Sequence, residues 1–215
     1  MFKNVSYKKL TWIKNASQDC GALHESIKTK KDDEICVYIE SQKNGRMWTS
    51  CSPSHLLTML TKDINMYEVI TKGLKHKCHF DIDCDLKNCK DGLTSLETYK
   101  KIILSYIPDA ILAISGSETE EKHSYHIVIT NYTINDEKQR DNFQHFVTGL
   151  HEENNGFDCK IYTNNRYMKI INQSKRYDPR IQEIIENDDP KNHLITCFIE
   201  PNTKSVSDIE MTIII

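Results

Sequence analysis

His79-Phe80-Asp81-Ile82-Asp83-Cys84-Asp85, residues 79–85, alternates acidic and apolar side chains. On a β-strand, residues i and i+2 point to the same face, roughly 6.6 Å apart. Asp81 and Asp83 then project side by side and Asp85 follows, while Phe80, Ile82 and Cys84 turn to a core. Aspartate is a poor strand former. Carboxylates held this close repel unless a cation neutralises them. Oxygen-only ligands suit Mg2+ or Mn2+. The competing reading is an edge strand with a polar face.

Working outward, residues 65–70 and 76–83 read as strands, and 34–40 pairs with 46–50 through a turn at Lys43-Asn44-Gly45. Residues 54–62 read as a short helix. Downstream, the capping-box pattern Thr94-x-x-Glu97 opens a helix with Leu96, Tyr99, Ile103 and Ile107 on one face, stopped by Pro108. Residues 110–115 and 124–130 read as strands. A second helix starts at Asn135-Asp136-Glu137, with Phe143, Phe146, Val147 and Leu150 at helical spacing. Residues 157–163, 167–172 and 193–199 read as further strands, and the acidic stretch 183–190 as an exposed loop. This order predicts an α+β fold with helices on one side of a mainly antiparallel sheet.

The chain has 215 residues, a net charge of −3 and 27% charged residues. That composition argues against a disordered chain and excludes a collagen and a small disulfide scaffold. No apolar run approaches the roughly 18 residues of a membrane span. The N-terminus has no apolar signal core, so an intracellular, non-secreted protein without membrane partners is expected. Eight cysteines occur without a CxxC pair, which argues against a zinc ribbon and for free thiols. His76, Cys78, Cys84 and Cys89 are too irregularly spaced to favour zinc. The net charge is not that of a tight duplex-DNA binder. Residues 158–180, however, carry Lys160, Arg166, Lys169, Lys175, Arg176 and Arg180 against Asp158 and Asp178. Such a segment suits phosphates, or else is a solvated strand face.

Two more constellations bear on chemistry. In KHSYHIVI, residues 122–129, Lys122, Ser124 and His126 share one strand face and can contact a phosphate. A Ser–His nucleophile is the rival, but no GxSxG elbow is present; an ordinary half-buried His126 is the plain alternative. In DCKIYTNNRYMKIINQSK, residues 158–175, Asp158 opens a strand and can join Asp81 and Asp83. Arg166, Lys169 and Lys175 can then meet a polyphosphate.

A DxD strand, an SxH strand and a later lone Asp, in that order, resemble the archaeo-eukaryotic primase superfamily. The third segment is most similar to its PrimPol-like branch, through Asp158, Tyr162, Thr163, Asn165, Arg166, Ser174 and Lys175. Lys122, Ser124 and His126 resemble the family's K-x-S-x-H, and Tyr67-Glu68-Val69-Ile70 precedes the acidic strand as in that branch. The first motif is equally similar to primase domains of large DNA viruses. The likeness spans roughly residues 34–175 and joins three motifs, each weak alone.

The resemblance implies a primase catalytic domain over 1–200, with an N-terminal α/β module (1–75), an RRM-like module (76–200) and a tail (201–215). It implies template-directed nucleotidyl transfer, with Asp81, Asp83 and Asp158 holding two Mg2+ or Mn2+ ions. Lys122, Ser124, His126, Arg166, Lys169 and Lys175 would hold an NTP or dNTP. Implied partners are a single-stranded DNA template and a replicative helicase or separate zinc-binding region. In a virus, the setting would be a cytoplasmic replication factory or the host nucleus. Tyr162 and Trp48 are candidate aromatics for the template. An inert replication module of the same fold, which binds single-stranded nucleic acid or a helicase partner, and a metal-dependent nuclease are the alternatives.

Overall fold

The computed structural model describes residues 13–14, 26–28, 30–41, 45–61, 64–85, 95–163 and 165–209. In chain order the strands are β1 (Ile13–Lys14), β2 (Ile35–Ser41), β3 (Gly45–Cys51), β4 (Met66–Ile70), β5 (His76–Asp85), β6 (Leu112–Glu118), β7 (Lys122–Ile134), β8 (Arg166–Lys169), β9 (Glu183–Glu186) and β10 (Lys204–Ser205). Besides the helical residues 26–28, helices α1 (Pro53–Met59), α2 (Leu96–Tyr106) and α3 (Glu137–Glu153) lie among the described residues.

The strands form two mainly antiparallel sheets, so the chain is α+β. The first has the order β1-β3-β2-β4-β8. In the second, β7 is central, with β5 along one edge and β6 along the other, and β9 lies beyond β6. β10 runs parallel to the far end of β7. The chain returns to the first sheet at β8, which pairs with β4 after the second sheet has been crossed.

Alternation divides β5 and β7 between two environments. Phe80, Ile82, Tyr125, Ile127 and Ile129 face one side, where Tyr99 and Ile103 of α2 and Phe143, Phe146 and Leu150 of α3 close a core. Both helices therefore cover one face of the second sheet. The opposite face carries the alternate residues of β5 and β7. There, Ala113 and Val128 meet Ile70 and Met168 of the first sheet, with Ile195 between them.

Local chemistry explains the helix starts. Pro53 opens α1, and Ser52 accepts a hydrogen bond from His55 N. Asp136 caps α3 by accepting from Gln139 N at 2.9 Å. The cap of α2 is Ser95, which accepts from Thr98 N. Thr94, the expected cap, lies outside the described residues.

Three expectations change. Residues 157–163 are not a strand: Asp158 caps a 3-10 turn at Cys159–Tyr162, and only Phe157 bridges to Ile82. Residues 193–199 are not a strand either, since Phe198 adopts a left-handed φ of 53° after a 3-10 turn at Pro190–His193. The acidic stretch 183–190 is not all loop, because Glu183–Glu186 forms β9. Among the described residues, no helix is long and apolar enough to cross a membrane.

Candidate active site

The register of β5 on β7 sets the first row. Asp81 lies opposite His126, Asp83 opposite Ser124, and Asp85 opposite Lys122. β6 extends the same row, with Ser115 opposite His126 and Ser117 opposite Ser124. His126 Nε2 lies 3.6 Å from Asp81 Oδ1, and Lys122 Nζ lies 3.0 Å from Asp83 Oδ2. Period-two alternation therefore puts three carboxylates, three hydroxyls, an imidazole and an ammonium on one face.

Asp158 joins them through its backbone. Its N–H donates to Asp81 O at 2.8 Å, and Asp83 N donates to Gly156 O at 2.9 Å. The segment thus runs beside β5 like a one-bridge strand and then turns. Asp158 Oδ1 accepts from Lys160 N at 2.8 Å, which starts the 3-10 turn.

The electrostatics follow from this crowding. Burial, then the charges of Asp83 and Asp158, push the Asp81 carboxyl up to about 7. Burial also opposes ionisation of Asp83, but the Lys122 ammonium and the Ser124 hydroxyl outweigh it and hold that carboxyl below its ordinary value. Burial and the charges of Lys169 and Lys175 depress His126 to about 3, so its imidazole is neutral.

The first sheet contributes the cations. Lys169 ends β8 with its side chain largely buried, and burial with the neighbouring Lys175 lowers it to about 8. Lys175 is exposed, yet its charge acts on Asp81, Asp83, His126 and Lys169. Arg166 sits at the other end of β8, and its Nε donates to Lys160 O at 2.9 Å. It borders the turn after Asp158 and is not part of the Asp81–His126 row.

Arg180 and Asp178 were not singled out as site residues from sequence. Arg180 Nε donates to both Asp178 oxygens, at 2.8 and 3.0 Å, and holds that carboxyl far below its usual range. Their charges act on Asp83 and Lys169 respectively. The signal was available in Asp178-Pro179-Arg180, inside the basic segment. A groove of about 500 Å3 opens next to them, lined by Ser117, Glu118, Arg180, Ile181, Glu183 and Ile185.

Several expected roles are not supported. Tyr162 is buried in the helix-covered core, donating its hydroxyl to His79 O, and Trp48 is only 3% exposed. Neither ring can stack on a template base. Cys84 is disulfide-bonded rather than free, while Cys36, Cys51, Cys78, Cys159 and Cys197 are free thiols. Cys89, part of the disfavoured zinc set, lies outside the described residues. Among the described residues, no group of three His, Cys, Asp or Glu side chains forms a ready-made metal cage. No protein-family model matches the chain, and no curated protein is significantly similar to it.

Proposed function

We propose that the chain is a template-directed nucleotidyltransferase, the catalytic core of a DNA primase or primase-polymerase. The observation that carries this reading is the convergence of Asp158 on Asp81 and Asp83, beside Lys122, Ser124 and His126. The strand order supports it too. β5, β6 and β7 with two helices on one face, and the 156–158 segment beside β5, follow the RRM-like arrangement that the resemblance implies.

The donor set fits divalent metal. Burial, and then the charges of Asp83 and Asp158, hold Asp81 near neutrality, and a dication among the three carboxylates would offset both. Asp81, Asp83 and Asp158 would hold Mg2+ or Mn2+, which supplies charge stabilisation for phosphoryl transfer and for the departing pyrophosphate. The chain's own groups then do the binding. Lys122, Lys169 and Lys175 match the negative charge of an NTP or dNTP. The Ser124 hydroxyl and the neutral His126 ring each offer a donor to a phosphate oxygen. Metal binding would release Lys122 from Asp83 and free its ammonium for the triphosphate.

The same Lys122–Asp83 ion pair favours a second reading. A family-implied ligand that is already paired suits an inert module that binds single-stranded nucleic acid. One assay separates the two. Unprimed single-stranded DNA, labelled nucleotides and Mn2+ or Mg2+ are expected to yield products with the natural chain. Asp81→Ala and Asp158→Ala should each reduce them by about a thousand-fold or more while leaving the fold intact. Products only from a primed template would mark a polymerase core that starts elsewhere. No product under either condition, with no nucleotide binding by titration, would leave the inert module.

A further inference from the structure

The segment after β8 folds back as a narrow hairpin. Asn172 N donates to Gln182 O at 2.8 Å, Gln182 N to Gln173 O at 3.1 Å, and Lys175 and Asp178 exchange two backbone hydrogen bonds of 3.0 Å. Only Arg176 and Tyr177 lie between that last pair. The Arg180 fork on Asp178 braces the tip from one side. Gln173 braces its base by accepting from Ile64 N at 3.0 Å.

This braced tip presents a large aromatic ring to solvent. Tyr177 is 85% exposed, whereas Tyr38, Tyr99, Tyr125 and Tyr162 are buried. The Arg176 guanidinium lies 4.9 Å from its ring centroid. Lys175, the next residue back, is the one whose charge reaches the carboxylates. An exposed ring is stabilised neither by a core nor by a partner ring, but here it stands in a row of cations leading to the site. Aromatic faces flanked by basic groups are how proteins hold unpaired bases, with the ring stacking and the cations meeting phosphates.

We infer that the Arg176–Tyr177 tip is a stacking platform for a base of single-stranded nucleic acid, with Arg176 beside the strand's phosphates and Lys175 between the tip and Asp81. This rests on the proposed function and adds where the template is gripped. Stacking does not sense the sugar, so DNA and RNA strands use the same ring. A duplex, whose bases are already stacked, does not.

The test is fluorescence anisotropy with labelled oligothymidylate and oligouridylate of about 16 nucleotides, and a duplex of the same length. Tyr177→Ala is expected to weaken both single strands about ten-fold. Tyr177→Phe, which keeps the ring, should stay within about two-fold, and duplex binding should not distinguish the variants. At 85% exposure the substitution leaves folding intact, which thermal unfolding checks. If the natural chain binds the strands and Tyr177→Ala binds them equally well, the inference is overturned and the tip is left for a protein partner. Equal loss in Tyr177→Phe would also overturn it, because the hydroxyl rather than the ring would then matter. No binding of single strands by the natural chain would overturn it as well. Primer synthesis by the natural chain, assayed separately, keeps the proposed function standing or falling on its own result.

Discussion

At Asp81, folding gathers charge that the unfolded chain keeps apart. Its carboxyl is raised from an ordinary 3.8 to about 7 by burial and by Asp83 and Asp158. A carboxyl with a raised folded pKa binds its proton more tightly when folded. Its stabilising contribution is complete below about pH 4 and is lost as pH rises through 7. Asp81→Asn copies the neutral form. It is expected to be more stable than the natural chain at about pH 8, by about 1–3 kcal/mol after allowance for partial exposure. The gain should vanish near about pH 4. Thermal unfolding across that range checks it; an Asn variant less stable at every pH would mean the carboxylates are not in repulsion. Mn2+ should narrow the gap at about pH 8 by stabilising the natural chain alone, since a ligand of the folded state adds to its stability. His79 slopes the other way. Burial holds it down at about 3 from an ordinary 6.5, so its contribution is complete above 6.5 and is lost as pH falls toward 3.

At the scale of elements, a strict sequence period was readable where the environment was simple. β5 and β7 alternate because one face meets α2 and α3 and the other meets the site, so the Asp81–His126 row was legible from residues 79–85 and 122–129. α3 was legible from its apolar spacing. The failures share a cause, which is burial on more than one side. Ile161 and Tyr162 are adjacent and both buried, a pattern a turn can satisfy and a half-buried strand cannot. His193 to Cys197 are all buried between the sheets, so their apolar run imitates a strand. The edge strand β9 imitates a loop because it is short and half-exposed: Glu183 and Ile185 face solvent, while Glu186 turns to the other side and pairs with Lys100 of α2. One position on β6 was silent for a different reason. A Cβ on Gly116 would stand 2.7 Å from Tyr125 Cδ1, 2.8 Å from Ser124 O and 2.9 Å from Ile185 Cδ1. Gly116 therefore lets β7 and β9 close on β6. Gly116→Val is expected to cost about 1–3 kcal/mol through overpacking, read as a lower urea midpoint. A variant as stable as the natural chain would mean that β6 does not pair with β7 and β9 as described.

Over the whole molecule, the site needs two sheets that do not drift, because Asp81 belongs to one and Lys169 to the other. The apolar contact between them is small, built from Ile70, Ala113, Val128, Met168 and Ile195. A buried carboxylate reinforces it. Glu68 of β4 accepts from Ile195 N and Thr196 N at 2.8 Å each, and from the Thr196 hydroxyl at 2.6 Å. Lys77 of β5 donates its own N–H to Ile195 O at 2.9 Å, and its buried ammonium donates to Lys191 O at 2.9 Å. The 191–196 segment is thus pinned to both sheets at once. Burial pushes the Glu68 carboxyl up, while those three donors and the Lys77 charge oppose it. Glu68→Ala would leave two buried amides without their acceptor, at a cost of about 2–5 kcal/mol. Because β8 and Ile170, Ile171 and Leu194 complete the first sheet's core after the chain has crossed the second, that loss should be global. Hydrogen exchange would show it. Amides of β3 and of β7 should open with the same free energy in the natural chain, and fall together by the same amount in Glu68→Ala. Protection that drops in β3 while β7 keeps its own would mean two independently folding sheets. The geometry between Asp81 and Lys169 would then have to be fixed by something other than the fold.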